Sequence, residues 1–225
     1  MVSEDLEIAK VVRQARGDLN LPGNVNPGWQ VLDCVVVEPD TWWIGYHRAQ
    51  RPSTCWPGGF YRTALPEDAV SRAFLKMSEG LDWSGLPLHQ GQVCAEIGAA
   101  PGGACQALLD RGMQVIGIDP AEIDARVMER PGFTHIRKRG SEVRLREMRK
   151  VRWLMADLNV APSYTLDTVE RIVTHADSNV RGLLLTLKLL QWDLARQMPE
   201  YMFRVRSWGF GEVHARQLHH NRQEF

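Results

Sequence analysis

The chain has 225 residues, room for one large α/β domain with a short extension. Its 27 basic residues balance 27 acidic ones, which excludes a globally basic nucleic-acid binder but leaves a local basic patch open. The longest apolar run, around Gly182 to Trp192, is interrupted by Lys188 and is too short to span a bilayer. The first residues (Glu4, Asp5, Glu7) show no signal-peptide apolar region. Cys34, Cys55, Cys94 and Cys105 form no C-x-x-C pair, which points to a reduced, cytoplasmic protein without structural zinc.

In chain order, residues 4–16 read as a short helix and 17–29 as a Gly/Pro/Asn-rich linker. Val31–Val37 and Thr41–His47 read as strands around a Glu38-Pro39-Asp40 turn, a β-hairpin. Residues 48–67 are Pro-rich and irregular, and Ala69–Leu81 is helical in pattern. A first domain boundary is expected near 66/67, giving an N-terminal extension over 1–66 and a main domain over 67–225. From Gln92 onward strands and helices alternate. Strands are expected at VCAEIGAA, Gln114–Ile118, Thr134–Arg137, Val151–Ala156 and Gly182–Leu190. Helices are expected at GACQALLDRG, Glu122–Glu129, Leu166–Ala176 and Leu194–Val205, with a last strand at Gly211–Gln217. Such alternation implies parallel pairing with right-handed crossovers, hence a Rossmann-like, doubly wound, mostly parallel α/β sheet.

The strongest local signal is Glu96-Ile97-Gly98-Ala99-Ala100-Pro101-Gly102-Gly103, where a strand runs into a glycine-rich turn and then a helix. Glycines there let the backbone approach a ligand, and the helix N-terminus adds free N–H groups. Asp119 ends the next strand, where an acidic side chain can accept from a ribose diol. The spacing is not G-x-G-x-x-G, and Pro101 removes one N–H donor, so a pyrophosphate cradle is disfavoured. An adenosine carrying a sulfonium amino acid needs no such cradle. The plain alternative is a tight turn that only packs helix on strand, with Asp119 as a cap.

Parallel sheets bind ligands beyond the carboxyl ends of their strands. Asp157 ends the fourth strand of the main domain, Lys188 lies near the end of the fifth, and Lys76 sits on the preceding helix. A lysine within LLLTLKLL costs free energy unless it is paired or reaches solvent. A neutral lysine could take the proton of a hydroxyl that attacks a sulfonium methyl. A second lysine lowers the pKa of the first and an aspartate raises it, and the sequence does not set that balance. An ion pair closing the sheet edge would look the same.

These residues resemble the FtsJ-like family of RNA 2′-O-methyltransferases, and within it the RlmM type, which methylates a cytidine ribose of large-subunit ribosomal RNA. The matching pieces are Trp42-Trp43-Ile44-Gly45-Tyr46, Ser71-Arg72 through Lys76, residues 98–103, Ala156-Asp157, Leu187-Lys188-Leu189 and Arg216 through Glu224, in family order over residues 30–225. The resemblance implies the Rossmann-like methyltransferase fold and S-adenosylmethionine as cofactor. It implies a catalytic tetrad at Lys76, Asp157, Lys188 and Glu224, with Lys188 as proton acceptor. Ser71, Gly98, Ala99, Ala100, Pro101, Gly102, Gly103, Asp119 and Asp157 are the implied cofactor positions. The implied partner is large-subunit ribosomal RNA, with a monomer favoured and no metal needed for direct methyl transfer. The sequence departs from the family in three ways. Arg139 stands where the family has an acidic residue near the adenine, no THUMP-like region is seen, and Phe225 falls where a last antiparallel strand should run.

Eight basic residues between Arg137 and Arg152 are a candidate RNA contact, interrupted by Glu142 and Glu147. Trp42, Trp43, Trp56 and Tyr61 are candidates for base stacking or for core. His214, His219 and His220 have no carboxylate or cysteine nearby in sequence that completes a metal set, so no metal is expected. Two other functions fit the same residues: a methyltransferase on another substrate, and an RNA-binding or ribosome-assembly module that keeps the fold without catalysis.

Overall fold

The computed structural model describes residues 25–56, 61, 63–221 and 224–225. The expected helix at 4–16 lies outside them. The chain divides into two compact units between residues 62 and 63, four residues before the expected boundary.

The first unit contains an antiparallel hairpin, β1 (Gln30–Glu38) and β2 (Thr41–Arg48), followed by a single 3₁₀ turn at Pro52–Cys55. A register shift falls between Val36 and Glu38, beside the turn. His47 bridges Asp33 (2.8 Å) and the Thr54 carbonyl (2.9 Å), tying the hairpin to the turn that follows. The candidate stacking aromatics divide: Trp43 is 68% exposed, whereas Trp56 and Tyr61 are buried edge-to-face with ring centroids 4.8 Å apart.

The second unit is an α/β sheet. In chain order it runs α1 (Ala73–Ser84), β3 (Val93–Ile97), α2 (Gly103–Asp110), β4 (Gln114–Ile118), α3 (Ala125–Met128), β5 (Phe133–Ile136), β6 (Trp153–Asp157), α4 (Pro162–Val173), β7 (Gly182–Thr186), α5 (Trp192–Arg196) and α6 (Met198–Ser207). The five strands are parallel in the order β5-β4-β3-β6-β7. The order reverses between β3 and β6, so the carboxyl ends of these two strands form the crevice where such sheets hold ligands.

Side-chain alternation gives the sheet two buried faces. Cys94, Val115, Trp153 and Met155 pack with Phe74, Leu75 and Met77 of α1 and with Leu108 of α2. Ala95, Ile97, Ile118, Leu154 and Ala156 pack on the other side with Val169 and Ile172 of α4. The doubly wound arrangement expected from the alternating pattern is therefore the one found.

Several boundaries differ from the sequence reading. The helix expected from Ala69 begins at Ala73, after a turn in which the Ser71 carbonyl accepts from Phe74 (3.1 Å) and its Oγ from Ala73 (3.3 Å). The helix expected from Glu122 begins only after Asp124, whose Oδ1 accepts the Arg126 N–H (2.9 Å). The helix expected over 194–205 is two helices with Gln197 between them, and Pro199 stands in the first turn of the second. β7 ends at Thr186 rather than continuing to Leu190. The strand expected at Gly211–Gln217 is absent, and that segment is irregular. Among its seven residues only Val213 and Ala215 are apolar, too few to bury a strand face. Among the described residues, the chain returns to the sheet edge at an isolated antiparallel bridge, Lys188 with Glu224.

Candidate active site

The glycine-rich turn is shaped by what lies against it. Gly98 has φ +85°, and a Cβ there would stand 2.5 Å from the Asp157 carbonyl oxygen. A side chain on Gly103 would run into Ser71, so these two segments touch only because position 103 has none. The peptide between Ala100 and Pro101 is cis. The Gly98 N–H donates to the Ile118 carbonyl (2.9 Å) and the Ala100 N–H to Oδ2 of Asp119 (3.2 Å). Oδ1 of Asp119 accepts from Ala121 (2.8 Å). Asp119 thus caps both neighbouring turns, and each carboxylate oxygen keeps capacity to accept once more.

Beyond the ends of β6 and β7, side chains from four separate segments meet. Lys76 Nζ lies 2.8 Å from Asp157 Oδ2 and 2.5 Å from Glu224 Oε1. Lys188 Nζ lies 2.6 Å from Asp157 Oδ1 and also donates to Glu224 Oε2. All four side chains are between 10% and 20% exposed, buried enough for the charges to matter and open enough for a ligand to reach them. Burial opposes the charge of Asp157, but the Lys76 charge and the hydrogen bonds from both lysines outweigh it and hold its carboxyl below the usual range. Burial likewise works against the Lys188 ammonium, and hydrogen bonds to Asp157 and Glu224 more than offset this, so its pKa is raised. The balance left open by the sequence therefore falls toward a charged Lys188 while all four partners are in contact.

Two carboxylates carry no role in the sequence reading, Glu96 at the head of the glycine-rich motif and Glu79 on α1. Glu96 lies inside β3 with no exposed surface, and neither carboxylate oxygen has a hydrogen-bond partner among the described residues. Burial pushes its carboxyl well above the usual range, the Asp157 charge adds to this, and Lys76 offsets part of it. The signal was present in VCAEIG, where a lone acid interrupts an apolar strand. Such a group two residues before the turn fits a ligand that brings a positive charge. Glu79, 1% exposed on α1, accepts the N–H groups of His219 (2.6 Å) and His220 (2.9 Å) and contacts the His220 ring Nδ1 (2.8 Å). It stands one helical turn beyond Lys76 and anchors the segment that delivers Glu224. Nothing in the sequence pairs it with residues 140 positions away.

Other candidates take different places. Arg139 is exposed, and its N–H is capped by Glu142 Oε2 (3.1 Å). Cys94 is pushed up to about 12 by burial and then by Glu96, and Cys105 is raised for the same two reasons, so both are thiols rather than nucleophilic thiolates. Among the described residues no helix is long and apolar enough to cross a membrane.

The profile of the FtsJ-like methyltransferase family matches residues 69–224. A ribosomal RNA large subunit methyltransferase M from Halorhodospira halophila is 30% identical over 179 residues, covering 77% of this chain and 50% of that protein. Its counterpart from Methylococcus capsulatus is 31% identical over 186 residues, covering 76% and 50%. The chain thus spans about half the length of the curated relatives it matches. Among solved structures, a "putative hemolysin" from Lactococcus lactis superposes with TM-score 0.53 at 15% identity, covering 64% of this chain and 77% of that one, a likeness of fold alone. With the family profile covering the whole of the sheet, its turn and the four meeting side chains, the chain belongs to the FtsJ-like methyltransferase family.

Proposed function

We propose that this chain methylates a ribose 2′-oxygen of large-subunit ribosomal RNA, using S-adenosylmethionine. The single observation that carries the reading is the convergence of Lys76, Asp157, Lys188 and Glu224 beyond the ends of β6 and β7, where Asp157 also abuts Gly98 of the turn at 98–103. When bound, S-adenosylmethionine supplies an electrophilic methyl group on a sulfonium. Ser71, the backbone of residues 98–103 and Asp119 would hold it, and Glu96 offers a buried carboxyl without a hydrogen-bond partner among the described residues. The names of the relatives support ribosomal RNA as the substrate class.

The chain's own residues then have distinct tasks. Asp157 and Glu224 each bridge both lysines, which fixes the two amines side by side. The set is neutral as it stands, with two positive and two negative charges. One more positive charge beside it weakens the hold of the amines on their protons. Lys188, at the open sheet edge, would first lose a proton to solvent, and the amine lone pair left behind would accept the proton of the attacking 2′-hydroxyl. Lys76 stays paired and orients the carboxylates. Holding hydroxyl and methyl in line contributes much of the acceleration. A cytoplasmic, monomeric enzyme is part of the same reading.

The test is methylation of ribosomal RNA from cells lacking this protein, with purified full chain and S-adenosylmethionine and with the modified nucleoside mapped by mass spectrometry. A 2′-O-methylated nucleoside at one large-subunit position is expected. A methyl group on a base, or on no RNA at all, overturns the reading.

A further inference from the structure

Positive charge is concentrated in one stretch of this neutral chain. Residues 137–152 hold eight Lys/Arg against two Glu, a net of six positive charges, so the remainder carries six negative ones. The path of this stretch is unusual. It leaves β5 at the carboxyl edge of the sheet, where Arg137 Nε donates to the Pro120 carbonyl (3.2 Å), next to Asp119. Two tight turns, Gly140–Glu142 and Leu145–Met148, carry it to the opposite edge. There the Arg152 N–H donates to the carbonyl of Val93, the first residue of β3 (2.9 Å). The basic stretch therefore spans the length of the strands, about 16 Å for five residues.

At that amino edge lies an open cleft of about 470 Å³ lined by Arg144, Leu145, Arg146, Arg149, His175 and Asp177. Arg149 is held by Asp177 (2.7 Å), and Asn179 Nδ2 donates to the Arg149 carbonyl (2.8 Å), which fixes the cleft wall. Arg144 and Arg146 are exposed and form no ion pair among the described residues. Guanidinium forks match phosphate oxygens two at a time and lose little hydration on pairing. A membrane-seating face would combine such charge with exposed apolar side chains. None of the exposed large hydrophobic residues falls within 137–152.

We propose that the amino-edge cleft binds backbone phosphates of the RNA whose target ribose lies at Lys188, so that the strand passes from one edge of the sheet to the other along residues 137–152. The inference rests on the RNA reading above and adds to it a second contact, remote from the methyl-transfer residues. Removing it weakens RNA capture, and it predicts a loss that salt mimics.

The experiment is a salt titration of the full chain binding an unmodified large-subunit ribosomal RNA transcript, for the wild type, Arg144→Ala/Arg146→Ala and Arg144→Glu/Arg146→Glu. The alanine pair is expected to lower the slope of log affinity against log salt by about 1.4, at about 0.7 per phosphate contact on single strands. The glutamate pair is expected to weaken binding at least tenfold, with S-adenosylmethionine binding and thermal midpoint at wild-type values. Wild-type affinity and slope in both variants overturn the cleft while leaving the RNA reading intact. A wild type that binds no RNA overturns both. Loss of binding to phosphatidylserine vesicles with RNA binding untouched makes the cleft a lipid site and overturns the proposal.

Discussion

The two walls of the candidate active site are built by opposite means. The turn at 98–103 is shaped by its immediate surroundings: glycine backbone pressed against Asp157 and Ser71, and N–H groups satisfied by Ile118 and Asp119. The described residues His219, His220, Glu224 and Phe225 are tied to residues distant in sequence by polar contacts. These include Glu79 beneath His219 and His220, the two lysines on Glu224, and the bridge in which Leu187 and Phe225 exchange backbone hydrogen bonds. The first wall is set by sterics and stands or falls with the sheet. The second is held by hydrogen bonds worth about 0.5–1.5 kcal/mol each, more where a carboxylate accepts. Damage to the turn should therefore reach cofactor binding and stability together, whereas damage to the tail should reach the rate first.

The largest expected effect lies where the walls meet. Lys188→Ala should cut methyl transfer about 10²- to 10⁴-fold, the usual worth of a positioned proton acceptor. A single-turnover rate within tenfold of wild type would remove Lys188 from that role. Gly98→Ala tests the first wall. The positive φ alone costs about 1–3 kcal/mol, and the added Cβ must also displace the Asp157 carbonyl. The thermal midpoint should fall, at roughly 2–4 °C per kcal/mol for a domain this size, and S-adenosylmethionine affinity should fall with it. Glu79→Ala tests the second wall. It removes the carboxylate acceptor of two part-buried N–H groups, about 0.5–1.5 kcal/mol each, enough to lower occupancy of the tail roughly fivefold to 150-fold. Methyl transfer should drop by that factor with cofactor affinity near wild type, and Glu79→Gln should restore part of it. Equal loss of rate and cofactor affinity in Glu79→Ala would erase the distinction between the walls.

Legibility in the sequence follows the same division. Strands such as Gln114–Ile118 and the turn after Ile97 announce themselves because their determinants are neighbours: apolar runs, glycines and an acid at the strand end. Asp157 and Lys188 are legible as charges near strand ends and Lys76 as a charge on the helix before the sheet, and Glu224 only through family resemblance. The pattern at Gly211–Gln217 reads as a strand that does not form, because a local pattern carries no information about whether an edge partner exists. Glu79 was illegible for the same reason. On α1 it looks like any polar residue of an amphipathic helix, and its value comes from backbone N–H groups in another part of the chain. β7 ends at Thr186 because its partner β6 ends opposite it at Asp157, a length that the apolar run through Leu190 does not reveal.

The smallest predicted change, Glu96→Gln, separates structural cost from ligand binding within the first wall. Glu96 is fully buried and its carboxyl is raised above the usual range, by burial first and by Asp157 second. An acid whose pKa is higher folded than unfolded binds more protons in the folded state between the two values. Its contribution to stability is greatest below the unfolded value near 4.3 and is lost as pH rises toward the folded one. Wild-type stability should therefore decline across that window, and the neutral amide should flatten the decline and raise the thermal midpoint at its upper end. The same amide offers no negative charge, so S-adenosylmethionine affinity should fall roughly tenfold, the scale of one charged hydrogen bond. A variant that is more stable and binds the cofactor less tightly would mean that β3 carries a buried acid at a cost in stability because a positively charged ligand group needs it. A variant that is more stable with unchanged affinity would leave Glu96 as a burden without a ligand, and the cationic end of the cofactor would have to be held by other residues.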